Sequence, residues 1–218
     1  MTPAGRVVGV DESGKGDYFG PLVIASLLAD ESDTGLLQSI GVRDGKTLSP
    51  KRIMELDDRI REDFPHAVIV ISPSQYNQLH KETRNLNVML AEGHARAIDE
   101  LVREHPADMA ISDKFGKTEL IENALRRKGQ EIRLEQIVRG ESIIQVAAAS
   151  ILARARFMNE MDALSNELDF ELPRGAAAHV DEAGRKLVRK FGPEILLKIA
   201  KVHFKNTQRV GNLSLFSK

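Results

Sequence analysis

The sequence predicts an α/β fold: a mixed sheet of five strands flanked by helices, with further helices towards the C-terminus. Three observations carry that reading. Apolar runs of strand length alternate with helix-like stretches at the spacing of α/β proteins. Residues 7–10 and 22–29 are strongly apolar and flank a glycine-rich turn. The first and fourth apolar runs each end in an acid, and ligands gather at that carboxyl edge of an open sheet. No repeat or low-complexity segment interrupts the alternation. Residues 1–209 are therefore expected to form one domain, with a flexible tail over 210–218.

Each element has its own local reason. Val7, Val8 and Val10 are β-branched and open the first strand. Asp11 and Glu12 stand at its end. Neighbours on a regular strand point to opposite faces, so the strand is expected to stop or bulge between them, with Gly14 and Gly16 supplying the freedom. Residues 22–29 form the second strand and 31–40 a short helix. Ser49 is a natural N-cap, with Pro50 at the first helical position, for a helix reaching about residue 63. Residues 67–71 form a third strand, and strands two and three are expected to flank the first in an antiparallel meander. Ser72, Pro73 and Ser74 open another short helix.

Asn87 suits the N-cap of a long helix over 88–104, with Leu90, Ala91, Ala95, Ile98, Leu101 and Val102 as its apolar stripe. A fourth strand over 107–112 ends at Asp113, and a helix over 117–128 follows. If strands one and four are parallel neighbours, Asp11 and Asp113 fall side by side. The plainer role for Asp113 is a cap for the next helix. A fifth strand spans 131–138. Then come Arg139, Gly140, Glu141 and Ser142, and a helix over 143–158 that is apolar on most sides. Glu141 near its start is favoured by the helix dipole alone. Leu172, Pro173, Arg174 and Gly175 make a loop, and two basic helices over 181–191 and 193–202 complete the domain.

Composition narrows the function. The 218 residues are 42% hydrophobic and 29% charged, as in a globular protein with a substantial core. There is no Cys, which excludes disulfides and thiolate zinc sites. No apolar run is long enough to span a bilayer and no signal peptide is recognisable, so a cytoplasmic monomer without a membrane partner is expected. The net charge of −1 gives no global sign of nucleic-acid binding, but residues 174–209 hold nine Lys or Arg against three Asp or Glu. Such a basic third either follows a phosphate backbone or makes ordinary solvated helix faces. The turn after the first strand joins acids to amide-exposing glycines and to Lys15. That combination suggests a divalent metal and a phosphate, although a polar hairpin turn reads similarly.

The whole string decides between these. Asp11-Glu12-Ser13-Gly14-Lys15-Gly16-Asp17-Tyr18-Phe19-Gly20-Pro21 resembles the opening motif of the type 2 ribonucleases H. It is most similar to ribonuclease HIII, where an acidic pair leads into G-x-G-D-Y-F-G-P. Ile111-Ser112-Asp113-Lys114-Phe115 resembles the family's third acid site. The run from Glu141 to Arg154 resembles its fourth acid and the helix behind it, with Glu as in ribonuclease HIII where ribonuclease HII has Asp. The segment Asp44 to Ser49 resembles D-S-K-x-L-S, with Gly45 in place of Ser. Asn85-Leu86-Asn87 and His203-Phe204-Lys205-Asn206-Thr207 match as well, so the resemblance covers about residues 5–209.

The resemblance implies a ribonuclease H-like fold and an endonuclease that hydrolyses the RNA strand of RNA/DNA hybrids. It implies a site of Asp11, Glu12, Asp113 and Glu141 holding two Mg²⁺ or Mn²⁺ ions, and products with 5′-phosphate and 3′-hydroxyl ends. All-oxygen ligands suit those ions better than zinc, and carboxylates crowded in one pocket need cations. Substrate contacts are implied at Ser13, Gly14, Lys15, Gly16, Lys46, Asn87 and Arg174. Incision at single embedded ribonucleotides, as by ribonuclease HII, is the alternative. Gly175-Ala176-Ala177-Ala178-His179 lacks the Tyr that reads the RNA–DNA junction in that enzyme. A non-catalytic nucleic-acid-binding protein is a second alternative, against which the intact acids speak. Ribonuclease HIII carries an N-terminal substrate-binding domain, whereas residues 1–6 alone precede the first strand here. A natural short form, or one from which the extension was removed, is expected. The tail Asn212-Leu213-Ser214-Leu215-Phe216 resembles the Q-L-S/D-L-F peptide by which bacterial replication proteins dock on the sliding clamp, with Asn for Gln. Its apolar residues either enter such a pocket or fold back on the body.

Overall fold

A computed structural model of the chain describes residues 5–43 and 48–211. Lys46 and the tail residues Asn212, Leu213, Ser214, Leu215 and Phe216 lie outside them. The chain divides into two compact units that interleave in sequence. One takes residues up to 13, 23–69 and 85–156, and the other takes 14–22, 70–84 and 157 onwards.

The first unit is organised around a five-stranded sheet of order β3-β2-β1-β4-β5. Its strands are β1 (Val7–Ser13), β2 (Leu22–Ala29), β3 (His66–Ile71), β4 (Met109–Asp113) and β5 (Arg133–Ile137). β1 pairs antiparallel with β2 and parallel with β4, which is in turn parallel to β5. The apolar first half of β1 and all of β2 are buried, as continuous runs in a sheet covered on both faces should be. β3 does not flank β1. It sits beyond β2 at the sheet edge, and β4 takes the other side of β1. The burial explains the choice: β3 leaves most of its residues part-exposed, which suits an edge and not a centre.

The stop or bulge expected between Asp11 and Glu12 is absent. The β1–β2 register runs unbroken from Val7 opposite Ala29 to Ser13 opposite Val23. The turn begins one residue later, at Gly14, whose φ of 86° lies in the left-handed region.

Helices α1 (Asp33–Ser39) and α2 (Pro50–Asp63) form where expected, and the Ser49 hydroxyl accepts the Arg52 N–H as an N-cap. Helix α4 (Leu86–Glu104) starts earlier than its sequence suggests. Its cap is Asn85, not Asn87: Asn85 is extended at φ −144°, and its side chain accepts the amides of Asn87 and Val88. The buried face of α4 is also wider than the expected stripe and takes in Met89, His94 and Ala97. The Ser26 hydroxyl on β2 donates to the Ala97 carbonyl at 2.8 Å and fixes α4 against the sheet. Helix α5 is Thr118–Arg127.

Helix α6 (Ile144–Leu168) runs past its expected end at 158, because buried Met158, Met161 and Leu168 continue its apolar face. Its start packs on β1 and β4 through Val146, which joins Val7, Met109 and Ile111 in one cluster. The backbones meet closely there: a Cβ on Gly9 would lie 2.1 Å from the Gln145 carbonyl carbon.

The second unit contains α3 (Pro73–Thr83), α7 (Ala178–Phe191), α8 (Ile195–Ile199) and α9 (Lys205–Val210). Ser72 closes a capping box with Gln75 at the head of α3. The second of the expected basic helices shrinks to α8. Helix α9 was not expected, since six residues are too few to show a periodicity.

Candidate active site

β1 and β4 bring two carboxylates together. Their ladder is in register up to Val10 opposite Ser112, so Asp11 and Asp113 are the next residues on adjacent parallel strands. Asp113 does not cap α5, whose N-cap is Lys117 with no side-chain bond. Instead, Asp113 Oδ1 accepts the Gly140 N–H at 2.9 Å. Gly140 heads the 3₁₀ turn Gly140–Ser142, which places Glu141 next in the chain. A Cβ on Gly140 would come within 2.9 Å of Asp113 Cα, so only glycine lets the turn settle on β4.

Glu12 leaves β1 on the face opposite Asp11, as the unbroken register requires. The β1–β4 ladder has ended by then, at Val10 opposite Ser112. The Glu12 amide donates to Asp11 Oδ1 at 2.8 Å, and Glu12 Oε2 lies within hydrogen-bond distance of His94 Nε2, at 3.0 Å. Asn87, no longer a cap, lies against the loop after Asp113: a Cβ on Gly116 would be 3.4 Å from its Cγ.

Carboxylate oxygens, with no thiol in the chain, are the chemistry that suits Mg²⁺ or Mn²⁺ rather than zinc. Among the described residues, no three His, Asp or Glu side chains stand in an ion-holding cluster. The sheet thus supplies acids at one rim, with Asp113 and Glu12 already held by a backbone amide and an imidazole.

The glycine-rich loop belongs to the second unit and is anchored there. A Cβ on Gly14 would strike the Pro21 carbonyl oxygen at 2.3 Å, whereas one on Gly16 would meet nothing within 4 Å. The Asp17 carboxylate accepts the Gly175 N–H at 2.6 Å, and the Tyr18 N–H donates to the Gly175 carbonyl at 2.9 Å. Burial pushes the Tyr18 phenol up to about 12, and its hydroxyl lies 3.1 Å from that of Thr207. Arg174 is exposed beside this tie, and Lys15 is part-exposed.

Lys201 holds the loop from beneath. It is fully buried, and its Nζ donates to the carbonyls of Asp17 at 2.9 Å and Gly20 at 2.7 Å. Burial pulls its pKa down from 10.5 to about 7. In the unfolded chain the amine keeps its proton until about pH 10. Between these values the unfolded state binds more protons, so stability rises with pH. The cost of burying the ammonium is fully present below about pH 7 and is relieved on the way to pH 10. Urea unfolding at a series of pH values should show wild type gaining on Lys201→Met across this window, with a slope of at most ~1.4 kcal/mol per pH unit. A constant difference between the two would show that Lys201 does not titrate there.

The basic third of the sequence is thus partly internal. Lys201 is buried, Arg209 pairs with buried Asp181 at 2.6 Å, and the Lys190 Nζ donates to the Leu168 carbonyl. Sequence reasoning missed Gly9, Gly140, His94 and Lys201. Of these, His94 left a readable trace, since it falls in line with Leu90 and Ile98 on the buried face of α4.

The chain matches the family model of ribonuclease HII over residues 8–207. Ribonuclease HIII of Protochlamydia amoebophila is 39% identical over 203 residues, which are 93% of this chain and 67% of that protein. The crystal structure of Bst-RNase HIII in complex with Mn²⁺ is similar at a TM-score of 0.90 and 35% identity, over 96% of this chain and 70% of that one. The RNase HII of the PCNA:RNase HII complex from Archaeoglobus fulgidus is similar at a TM-score of 0.72 and 26% identity, over 85% of this chain and 88% of that one.

Proposed function

We propose, since the chain belongs to the type 2 ribonuclease H family and within it to the ribonuclease HIII branch, that its four acids cut the RNA strand of RNA/DNA hybrids. It is an endoribonuclease of that family. The observation that carries the finer reading is the placement of Asp11 and Asp113 just beyond the last pair of the β1–β4 ladder, with Asp113 tied to the amide just before Glu141. Asp11, Glu12, Asp113 and Glu141 would hold two Mg²⁺ or Mn²⁺ ions. When bound, such a pair supplies an activated water and stabilises the leaving 3′-oxygen, which leaves a 5′-phosphate.

The remaining work falls to the chain itself. Gly14, Lys15 and Gly16 hold the strand near the cut, with Lys15 on a phosphate. Backbone groups of that loop read the 2′-hydroxyl that separates RNA from DNA. Ser13, Lys46, Asn87 and Arg174 add further contacts to the nucleic acid. Glu141, and the absence of Tyr from residues 175–179, favour a hybrid substrate over a single embedded ribonucleotide. Residues 212–216 dock on a sliding clamp in the cytoplasm. The PCNA complex of a related RNase HII supports that reading, and tethering would raise the local concentration of substrate.

One assay tests these points together. A labelled RNA/DNA hybrid and a duplex with one ribonucleotide are offered with Mg²⁺ and with Mn²⁺. The hybrid should be cut preferentially, at internal sites. Adding a bacterial clamp should raise cleavage at limiting enzyme, and deletion of 212–218 should cancel the gain. Cutting confined to the single ribonucleotide would move the chain to the ribonuclease HII specificity. No metal-dependent cutting would sink the catalytic reading.

A further inference from the structure

His94 is an odd residue for its place. It lies on the buried face of α4, with no exposed surface, among Leu90, Ala91, Ala95 and Ile98. An imidazole in such a setting costs free energy unless both nitrogens find partners. Nδ1 finds none. Nε2 meets Glu12 Oε2 at 3.0 Å. The ring packs on Phe115, centroid to centroid 4.8 Å and tilted by 59°, and Phe115 is two residues beyond Asp113. A leucine or phenylalanine would fill this space without an orphaned nitrogen. Packing therefore does not account for a histidine here, and the bond to Glu12 does.

We infer that His94 is a positioning residue for the Glu12 carboxylate. The inference rests on the carboxylate reading above. A carboxylate oxygen accepts, so Nε2 carries the proton and donates it. Glu12 needs such a peg more than Asp11 does. It starts from the opposite face of β1 and reaches the rim on a side chain with three rotatable torsions. A carboxylate offers about four lone-pair sites, so the bond at Oε2 sets its direction and does not by itself exhaust them. The contact of the same ring with Phe115 couples that direction to the end of β4. Partners of this kind behind a ligating group fix its orientation and raise its affinity for the ion.

The test uses the full chain with Mn²⁺ and calorimetric titration. His94→Phe keeps a ring against Phe115 and removes the donor, whereas His94→Gln keeps an N–H at similar reach. His94→Phe should bind Mn²⁺ about 10- to 100-fold more weakly, with its metal-free thermal midpoint retained. His94→Gln should recover most of the affinity. On the hybrid, kcat should fall in His94→Phe while KM changes little. His94→Phe binding Mn²⁺ as tightly as wild type would overturn the positioning role and leave the carboxylate reading standing. A wild type that binds no Mn²⁺ would overturn both. Wild type labelled at the histidine nitrogens gives a readout free of any variant: His94 should show Nε2–H, and an Nδ1–H tautomer would overturn the inference.

Discussion

Asp11→Asn is expected to abolish metal-dependent cleavage of the hybrid while leaving the protein folded. The substitution changes one oxygen to an amide nitrogen and keeps the shape of the side chain. The amide oxygen can still accept the Glu12 N–H that Asp11 Oδ1 now takes at 2.8 Å. The charge is what disappears. Asp11 stands beside Asp113 at the ends of β1 and β4, and two carboxylates so placed disfavour each other's charge without a cation. Loss of one carboxylate should weaken the hold on the ions and lower the rate by about 10³-fold, or ~4 kcal/mol of barrier. The metal-free protein should be as stable as wild type or more so, since a like charge has gone. Single-turnover cleavage at saturating Mn²⁺, read beside thermal unfolding without metal, separates the two effects. A variant cutting within tenfold of wild type would remove Asp11 from the reaction.

Gly9→Ala should produce the largest loss of stability of any single methyl added to the first unit. The new Cβ would lie 2.1 Å from the Gln145 carbonyl carbon, 2.3 Å from its oxygen and 2.4 Å from the Val146 nitrogen. These are backbone atoms of the first turn of α6, so no rotamer change relieves the overlap. The strand cannot retreat either, since β1 is paired on both sides along this stretch. Overpacking of a rigid core costs ~3 kcal/mol at its upper range, and an effect of at least that size is expected. Activity should fall as well. The turn that carries Glu141 leads straight into α6, so pushing the helix away moves an acid. Gly16→Ala is the control: with nothing within 4 Å, it should shift stability by no more than ~0.5 kcal/mol. Urea unfolding gives both numbers, and a Gly9→Ala loss below ~1 kcal/mol would show that the helix and strand do not approach so closely.

Much of the sheet was legible because its signals are local. The valines of β1, the unbroken apolar run of β2 and the Ser49-Pro50 helix start each state their own conformation. The candidate acids were legible through the string that contains them and through a repeated pattern of apolar run then acid. What the sequence hid was set by long-range contact. Whether β3 or β4 lies beside β1 depends on which strand buries more surface, and residue types alone do not rank that. Asn85 and Asn87 are chemically equal as caps, and the choice follows from where the chain enters α4. The expected bulge in β1 came from assuming that two acids of one site must share a face. β1 instead runs unbroken through both acids while its ladder with β4 stops at Val10, and no local feature of Asp11-Glu12 announces it. Gly9 and Gly140 matter for the backbone each one admits, from Gln145 and Asp113, far along the chain.

The anchoring of residues 14–20 has a consequence for the order in which the protein matures on the ribosome. Their partners are nearly all late: Gly175, Ile199, Lys201 and Thr207, with 184 residues between Asp17 and Lys201. At translation rates of ~5–20 residues per second, that separation is roughly 10–40 s of waiting. The glycine-rich segment is among the first to be synthesised and among the last to find its place. A chain released before Thr207 would carry every candidate acid and still lack the ties that shape this loop. Premature termination would therefore strip the loop of its form while every candidate acid was already made.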